Sequence, residues 1–164
     1  MSISFSADEV LAVAEQVERN GDRFYHVAAE RAADVAARQM FLKLAAMEDT
    51  HLEAFADMRA GLTEAERKPV TFDPYDEDAL YLKAMADRTI FDVAADPTAK
   101  LSGRESEEEV IGIGIQAEKD SIVFYTGLRD LIPVHIGRSR IDAIIKEELG
   151  HFATLSEMLA DLRA

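Results

Sequence analysis

Glu48-Asp-Thr-His51 and Glu148-Leu-Gly-His151 lie 100 positions apart, and each follows a lone glutamate, Glu18 or Glu118, by the same 30 residues. Each lone glutamate is followed at equal distance by Phe-Tyr: Phe24-Tyr25 in the first half and Phe124-Tyr125 in the second. Four carboxylates and two imidazoles therefore recur in one order. On a helix, Glu-x-x-His places both side chains on one face, one turn apart, so that both reach a common point. Two such pairs plus two further glutamates, each on its own helix, form the ligand set of a dinuclear metal site inside a four-helix bundle. The expected metal ligands are Glu18, Glu48, His51, Glu118, Glu148 and His151.

The chain around these residues carries the helices such a site needs. Ser6-x-x-Glu9 is a capping box that opens a first helix. Its inward steps are Val10, Ala14, Val17, Gly21, Phe24 and Ala28, with an end near Ala33. A short connection at Asp34-Val35 leads to a second helix with steps Phe41, Leu44, Glu48, His51, Phe55, Met58 and Leu62, and Gly61 signals its end. From Thr63 to Glu105 the regularity drops, broken at Pro69, Pro74, Pro97 and Gly103, with a shorter helix expected from Asp76 to about Phe91. Ser106-x-x-Glu109 is a second capping box; the third helix turns Val110, Gly114, Ala117, Ser121, Phe124 and Leu128 inward. Pro133 and Gly137 mark a tight connection to the fourth, with Ile141, Ile144, Glu148, His151, Leu155, Met158 and Leu162. The expected fold is all-α and a single domain over 1–164. It comprises a hairpin over about 6–62, a crossover over about 63–105 and a second hairpin over about 106–163.

The two halves are copies of one hairpin. Between 15–64 and 115–164 only 10 of 50 residues are identical, yet Glu18, Phe24, Tyr25, Glu48 and His51 are among them, so identity gathers at the motif. Glu48 and His51 are themselves steps of an apolar stripe, as are Glu148 and His151; the 3-4 spacing is continuous only if they are counted. Unpaired carboxylates in an apolar core cost roughly several kcal/mol each. Divalent cations held by these groups remove that penalty. Glu18 and Glu118 flank their stripes beside Val17 and Ala117, and the small residues Gly21 and Ser121 leave room next to them. Tyr25 and Tyr125, seven residues past those glutamates, are either hydrogen-bond donors or redox-active neighbours of the site, or plain core aromatics.

Other candidates read differently. Glu15 stands three residues before Glu18, but its counterpart is Ile115, which favours a solvated or helix-pairing glutamate over a seventh ligand. Asp49, Glu53 and Glu147 fall off the stripe and are expected at the surface. His26 and His135 have no partner motif, and Met58 and Met158 read as packing. Ile111, Ile115 and Ile122 form a second apolar row on the third helix, where the first helix has Leu11, Glu15 and Asp22. Either the crossover or a homodimer covers it, and a homodimer is expected.

Composition narrows the function classes. The 164 residues hold 32 acidic and 18 basic side chains, a net charge of −14, which argues against binding nucleic acid or an anionic membrane. There is no cysteine, so disulfides, thiolate zinc sites and iron–sulfur ligation are excluded. The N-terminus lacks a signal-peptide pattern and no apolar run reaches about 20 residues, so a cytoplasmic protein is expected.

The segments Glu15-Gln-Val-Glu18-Arg-Asn-Gly-Asp-Arg-Phe-Tyr25, Glu48-Asp-Thr-His51, Glu118-Lys-Asp-Ser-Ile-Val-Phe-Tyr125 and Glu148-Leu-Gly-His151 resemble the rubrerythrin-like branch of the ferritin-like superfamily. That resemblance implies two irons, with manganese or zinc as substitutes, between four helices joined by a long crossover. It implies that Glu18 and Glu118 bridge or chelate, while Glu48 with His51 and Glu148 with His151 each serve one metal. Oxygen-rich ligation with one histidine per metal suits iron or manganese better than structural zinc. The implied activity is reduction of peroxide or dioxygen, as a peroxidase, or iron oxidation, as a ferroxidase; a metal-free structural bundle is the third reading. Full rubrerythrins carry a cysteine-ligated iron domain that this chain lacks, so a peroxidase here needs electrons from a separate donor protein. They also use a further glutamate in the third helix, where this chain has Ile115 and Ser121 at the neighbouring inward positions.

Overall fold

The computed structural model of the chain describes residues 4–71 and 94–164. Four long helices dominate it: α1 (Ala7–Arg31), α2 (Val35–Ala60), α3 (Glu107–Leu131) and α4 (Val134–Leu162). Both expected capping boxes form. The Ser6 hydroxyl accepts from the Glu9 N–H while the Glu9 carboxylate accepts from the Ser6 N–H, and Ser106 with Glu109 repeats the arrangement. Each box satisfies N–H groups that the helix start leaves unpaired. Asp34 caps α2 by accepting from the Ala37 N–H. Helix α1 ends at Arg31, two residues before the expected Ala33, because the backbone turns extended at Ala32. The short helix expected over 76–91 lies outside the described residues.

Which ends meet fixes the topology. One apolar cluster joins Leu11 and Ala14 at the start of α1, Phe55 and Met58 at the end of α2, Tyr125 and Leu128 at the end of α3, and Ile141 and Ile144 at the start of α4. A second joins the other ends: Phe24 and Ala28, Phe41 and Leu44, Val110 and Ile111, and Leu155. Helix α3 therefore runs parallel to α2, and the chain between them must travel back along a bundle roughly 39 Å long. This is the expected pair of hairpins joined by a crossover.

Two features at the ends of the crossover were not legible in the sequence. β1 (Ser4–Phe5) pairs antiparallel with β2 (Val70–Thr71), tying the N-terminal segment to the start of the crossover; two residues carry no periodic signal. At the far end, a 3₁₀ turn over Pro97–Lys100 is capped by Asp96, whose carboxylate accepts from the Thr98 N–H. Leu101, just after this turn, packs against the second apolar cluster, which includes Ile111 of α3.

Gly137 is required by packing. Helix α4 kinks there, and a Cβ at this position would lie 2.5 Å from Sδ and 2.9 Å from Cγ of Met58, itself buried. Gly137→Ala is expected to destabilise the protein by roughly 1–3 kcal/mol through overpacking. Gly112→Ala, in mid-α3 with nothing near its Cβ, should instead stabilise by about 0.5–1 kcal/mol. Thermal denaturation of the two variants, with opposite shifts in Tm, checks both.

Candidate metal centre

Between the two apolar clusters lies a polar layer. Glu18, Glu48, His51, Glu118, Glu148 and His151 are all buried, none more than 4% exposed. They divide into two overlapping groups, Glu18, Glu48, His51 and Glu148 in one, and Glu48, Glu118, Glu148 and His151 in the other. Within each group one ligand atom per residue lies within 4.8 Å of all the others. All six expected residues are thus brought together. The carboxylates common to both groups are Glu48 and Glu148, not Glu18 and Glu118.

The helix faces explain how. The buried face of α1 runs Leu11, Ala14, Glu18, Tyr25, Ala28, whereas Val17 is only half-buried. Glu18 therefore lies within the stripe rather than beside it. On α3 the face runs Ile111, Gly114, Glu118, Ser121, Tyr125, Leu128. Small residues make the space: a Cβ on Gly21 would meet the Glu48 carboxylate carbon at 3.2 Å. The Ser121 hydroxyl turns back to donate to the Glu118 carbonyl at 2.8 Å.

Tyr25 and Tyr125 serve the opposite hairpin. The Tyr25 hydroxyl donates to Oε1 of Glu118, and the Tyr125 hydroxyl to Oε1 of Glu18. Each ring is fixed by aromatic neighbours, Phe24 and Phe41 around Tyr25, Phe55 and Phe124 around Tyr125. Burial, then the charge of the carboxylate it faces, pushes each phenol well above its ordinary range, so both remain protonated donors.

The imidazoles stack with ring centroids 5.7 Å apart and turn Nδ1 into the layer. Nδ1 of His51 lies 2.9 Å from Oε1 of Glu148; Nδ1 of His151 lies 3.3 Å from both Glu48 and Glu148. Yet His51 Nδ1, His151 Nδ1 and Glu148 Oε1 make no aligned hydrogen bond among the described residues. Buried polar atoms are almost always satisfied by a partner. Atoms that approach one another without aligning are pointed at common centres, as ligands of an ion would be. The donor set of carboxylate oxygens and imidazole nitrogens fits iron or manganese.

Without a cation, protons take up the charge. Burial pulls His51 down, but the adjacent carboxylates of Glu148 and Glu18 outweigh it and hold the imidazolium up to about 11. His151, beside Glu118, Glu148 and Glu48, is held up to about 12 against the same burial. Burial and the charge of Glu48 push Glu18 well above the glutamate range; burial and Glu148 raise Glu118 to about 8. Burial and Glu48 also push on Glu148, but contacts with Glu118, His151 and His51 prevail and hold it low.

The remaining candidates sort out around this layer. Glu15 is buried but outside both groups, pairing with Arg19 at 2.8 Å and with Arg59 of α2 at 3.3 Å, so its role is helix pairing rather than solvation. Asp49 and Glu53 are exposed, and His26 and His135 pair at the surface with Asp22 and Glu66. Glu147 lies at the surface as expected, but it makes a contact that its position did not announce. Its side chain is half-exposed, but Oε2 reaches 2.8 Å from Nε2 of His51. Stripe position could not reveal this, because Glu147 reaches sideways to a neighbouring helix.

A cavity of about 70 Å³ opens on the layer between α1 and α3, lined by Gly21, Tyr25, Glu48, Ile113, Glu118 and Glu148, with Ala95, Pro97 and Lys100 at its edge. The end of the crossover is held there by Asn20, which donates to the Ala94 carbonyl at 2.8 Å, and by Arg23, which pairs with Asp96 at 2.6 Å.

Two hairpins, a long crossover and a buried carboxylate–histidine layer at mid-length define a ferritin-like four-helix bundle. The chain is similar over 98% of its length to a crystal structure from Thermotoga maritima, provisionally described as a ferritin-like diiron-carboxylate protein, with a TM-score of 0.75 and 25% identity over 98% of that chain. No protein-family model and no curated protein matches the sequence. No helix among the described residues is long and apolar enough to cross a membrane.

Proposed function

We propose that the chain holds two iron ions and reduces peroxide or dioxygen with electrons from a separate donor protein, as a member of the rubrerythrin-like branch. The observation that carries this reading is the overlap of two buried Glu₃His groups through Glu48 and Glu148. Four carboxylates and two divalent cations cancel in charge, which leaves both imidazoles neutral and free to ligate through Nδ1. Glu48 and Glu148 would be shared between the metals, with Glu18 and His51 completing one position and Glu118 and His151 the other. When bound, the iron pair supplies the electron transfer that cleaves an O–O bond. Tyr25 and Tyr125 hold the carboxylates of Glu118 and Glu18 in place across the hairpins. The small cavity favours a small oxidant over a bulky organic substrate. The absence of cysteine from these 164 residues supports a reductant supplied from outside this bundle, for which we assign a separate donor protein.

Protein produced with iron should contain close to two metal ions per chain by elemental analysis. A ratio near zero that persists after Fe(II) loading would leave only a structural bundle. Stopped-flow oxidation of the diferrous protein then compares oxidants: much faster reaction with peroxide marks a peroxidase. A comparable or faster reaction with dioxygen, with release of Fe(III), marks a ferroxidase instead.

A further inference from the structure

The two halves differ in what faces the outer nitrogen of each histidine. Glu147 accepts from His51, but its counterpart 100 residues earlier is Met47, whose thioether is at best a weak acceptor. Nε2 of His151 is buried and has no hydrogen-bond partner among the described residues. We infer that the two metal positions are unequal, and that Glu147 is a positioning residue that makes the His51 position the tighter one, filled first. This rests on the metal reading above.

The histidine tautomer sets the difference. A histidine that ligates through Nδ1 must carry its proton on Nε2. For His51 that N–H points at a carboxylate 2.8 Å away, which fixes the ring and raises the basicity of Nδ1. For His151 the same N–H remains buried without an acceptor among the described residues, a penalty that ligation through Nδ1 does not remove. Loss of such an outer partner typically costs about 10–100-fold in metal affinity. The ligand sets are matched between halves: each position has one terminal glutamate, one histidine and the same two shared glutamates. Within matched ligand sets, the inequality is assigned to this outer pair of residues.

Anaerobic titration of the metal-free protein with Co(II), followed by calorimetry and visible absorption, tests this. Wild type should bind two ions in separate steps, with dissociation constants at least about tenfold apart. Glu147→Ala should weaken the first step by about 10–100-fold and merge it with the second. Glu147→Gln, which keeps an acceptor, should restore part of the loss, and Met47→Glu should tighten the second step. In a Glu118→Gln background, binding at the remaining position should stay sensitive to residue 147; in a Glu18→Gln background it should not. Because Glu147 is half-exposed, its variants should keep the wild-type circular dichroism. Equal steps in wild type, or a Glu147→Ala variant with both steps intact, would overturn the inequality alone. No uptake of Co(II) by wild type would overturn the metal reading itself.

Discussion

Replacing either shared glutamate, Glu48→Gln or Glu148→Gln, is expected to lose both metal ions, whereas Glu18→Gln or Glu118→Gln is expected to lose one. The difference follows from the overlap: Glu48 and Glu148 belong to both ligand groups, and Glu18 and Glu118 to one each. An amide keeps the volume of the carboxylate, so the space beside Gly21 stays filled and the helices keep their packing. It removes one charge from a set of four that balances two divalent cations. The loss in affinity should exceed the about 10–100-fold effect of removing an outer partner, because the ligand itself is gone. The double variant Glu18→Ala with Glu118→Ala should lose at least one ion entirely. Elemental analysis of desalted protein reads all five variants, and full occupancy in any of them would refute the assignment of that residue.

The second large effect is a reversal of pH dependence on metal loading. In the metal-free protein His51 and His151 titrate far above the usual histidine value, and Glu18 and Glu118 above the usual glutamate value. All four groups bind protons more tightly folded than unfolded. Their contribution to stability is therefore fully present below the unfolded pKa and is lost as pH rises through the folded one. The glutamates begin to withdraw support above about pH 4.5, and Glu118 has withdrawn its share by about pH 8; the histidines act from about pH 6.5 upward. The metal-free protein should have a lower Tm at pH 8 than at pH 6. Metal binding displaces these protons, one each from Glu18, Glu118, His51 and His151, so loading two ions should release up to four protons. Metal then protects best where protons compete least. At pH 8, a free ion concentration 100 times the dissociation constant would add about 2.7 kcal/mol per site. For a chain of this size each filled site then raises Tm by roughly 5–10 °C. Calorimetric scans at both pH values, with and without Mn(II), test the reversal; a metal-free protein more stable at pH 8 would refute it.

Much of this centre was legible because burial and chemistry shared one periodicity. Glu48, His51, Glu148 and His151 occupy apolar steps, so a 3-4 count places them inward without knowledge of any contact. Glu18 and Glu118 were harder to place. Val17 and Ala117 also fit the count, and only the packed helices show that the true stripe passes through the glutamates. Contacts that cross from one helix to another leave no mark in spacing. The donation of Tyr25 to Glu118 rather than toward Glu18, the reach of Glu147 to His51, and the pairing of Glu15 with Arg59 are of this kind. The strand pair at Ser4–Phe5 and Val70–Thr71 was invisible for a different reason, being no longer than one repeat of its own pattern.

The exchange of tyrosines between hairpins has a consequence for how the centre is assembled. Each half lends its phenol to the other's glutamate, and the shared carboxylates come one from each half. Neither hairpin alone contains a complete ligand group. Two identical hairpins meeting about a two-fold axis would supply the same six ligating side chains, but only as often as they met. Joining them in one polypeptide makes that meeting intramolecular, at a high effective concentration set by the tether. At a fixed free metal concentration, metal occupancy should therefore be independent of protein concentration. The tether also lets the halves drift apart in sequence, as the pairs Glu15 and Ile115, and Met47 and Glu147, have done. A strictly symmetric assembly would have to change both copies at once.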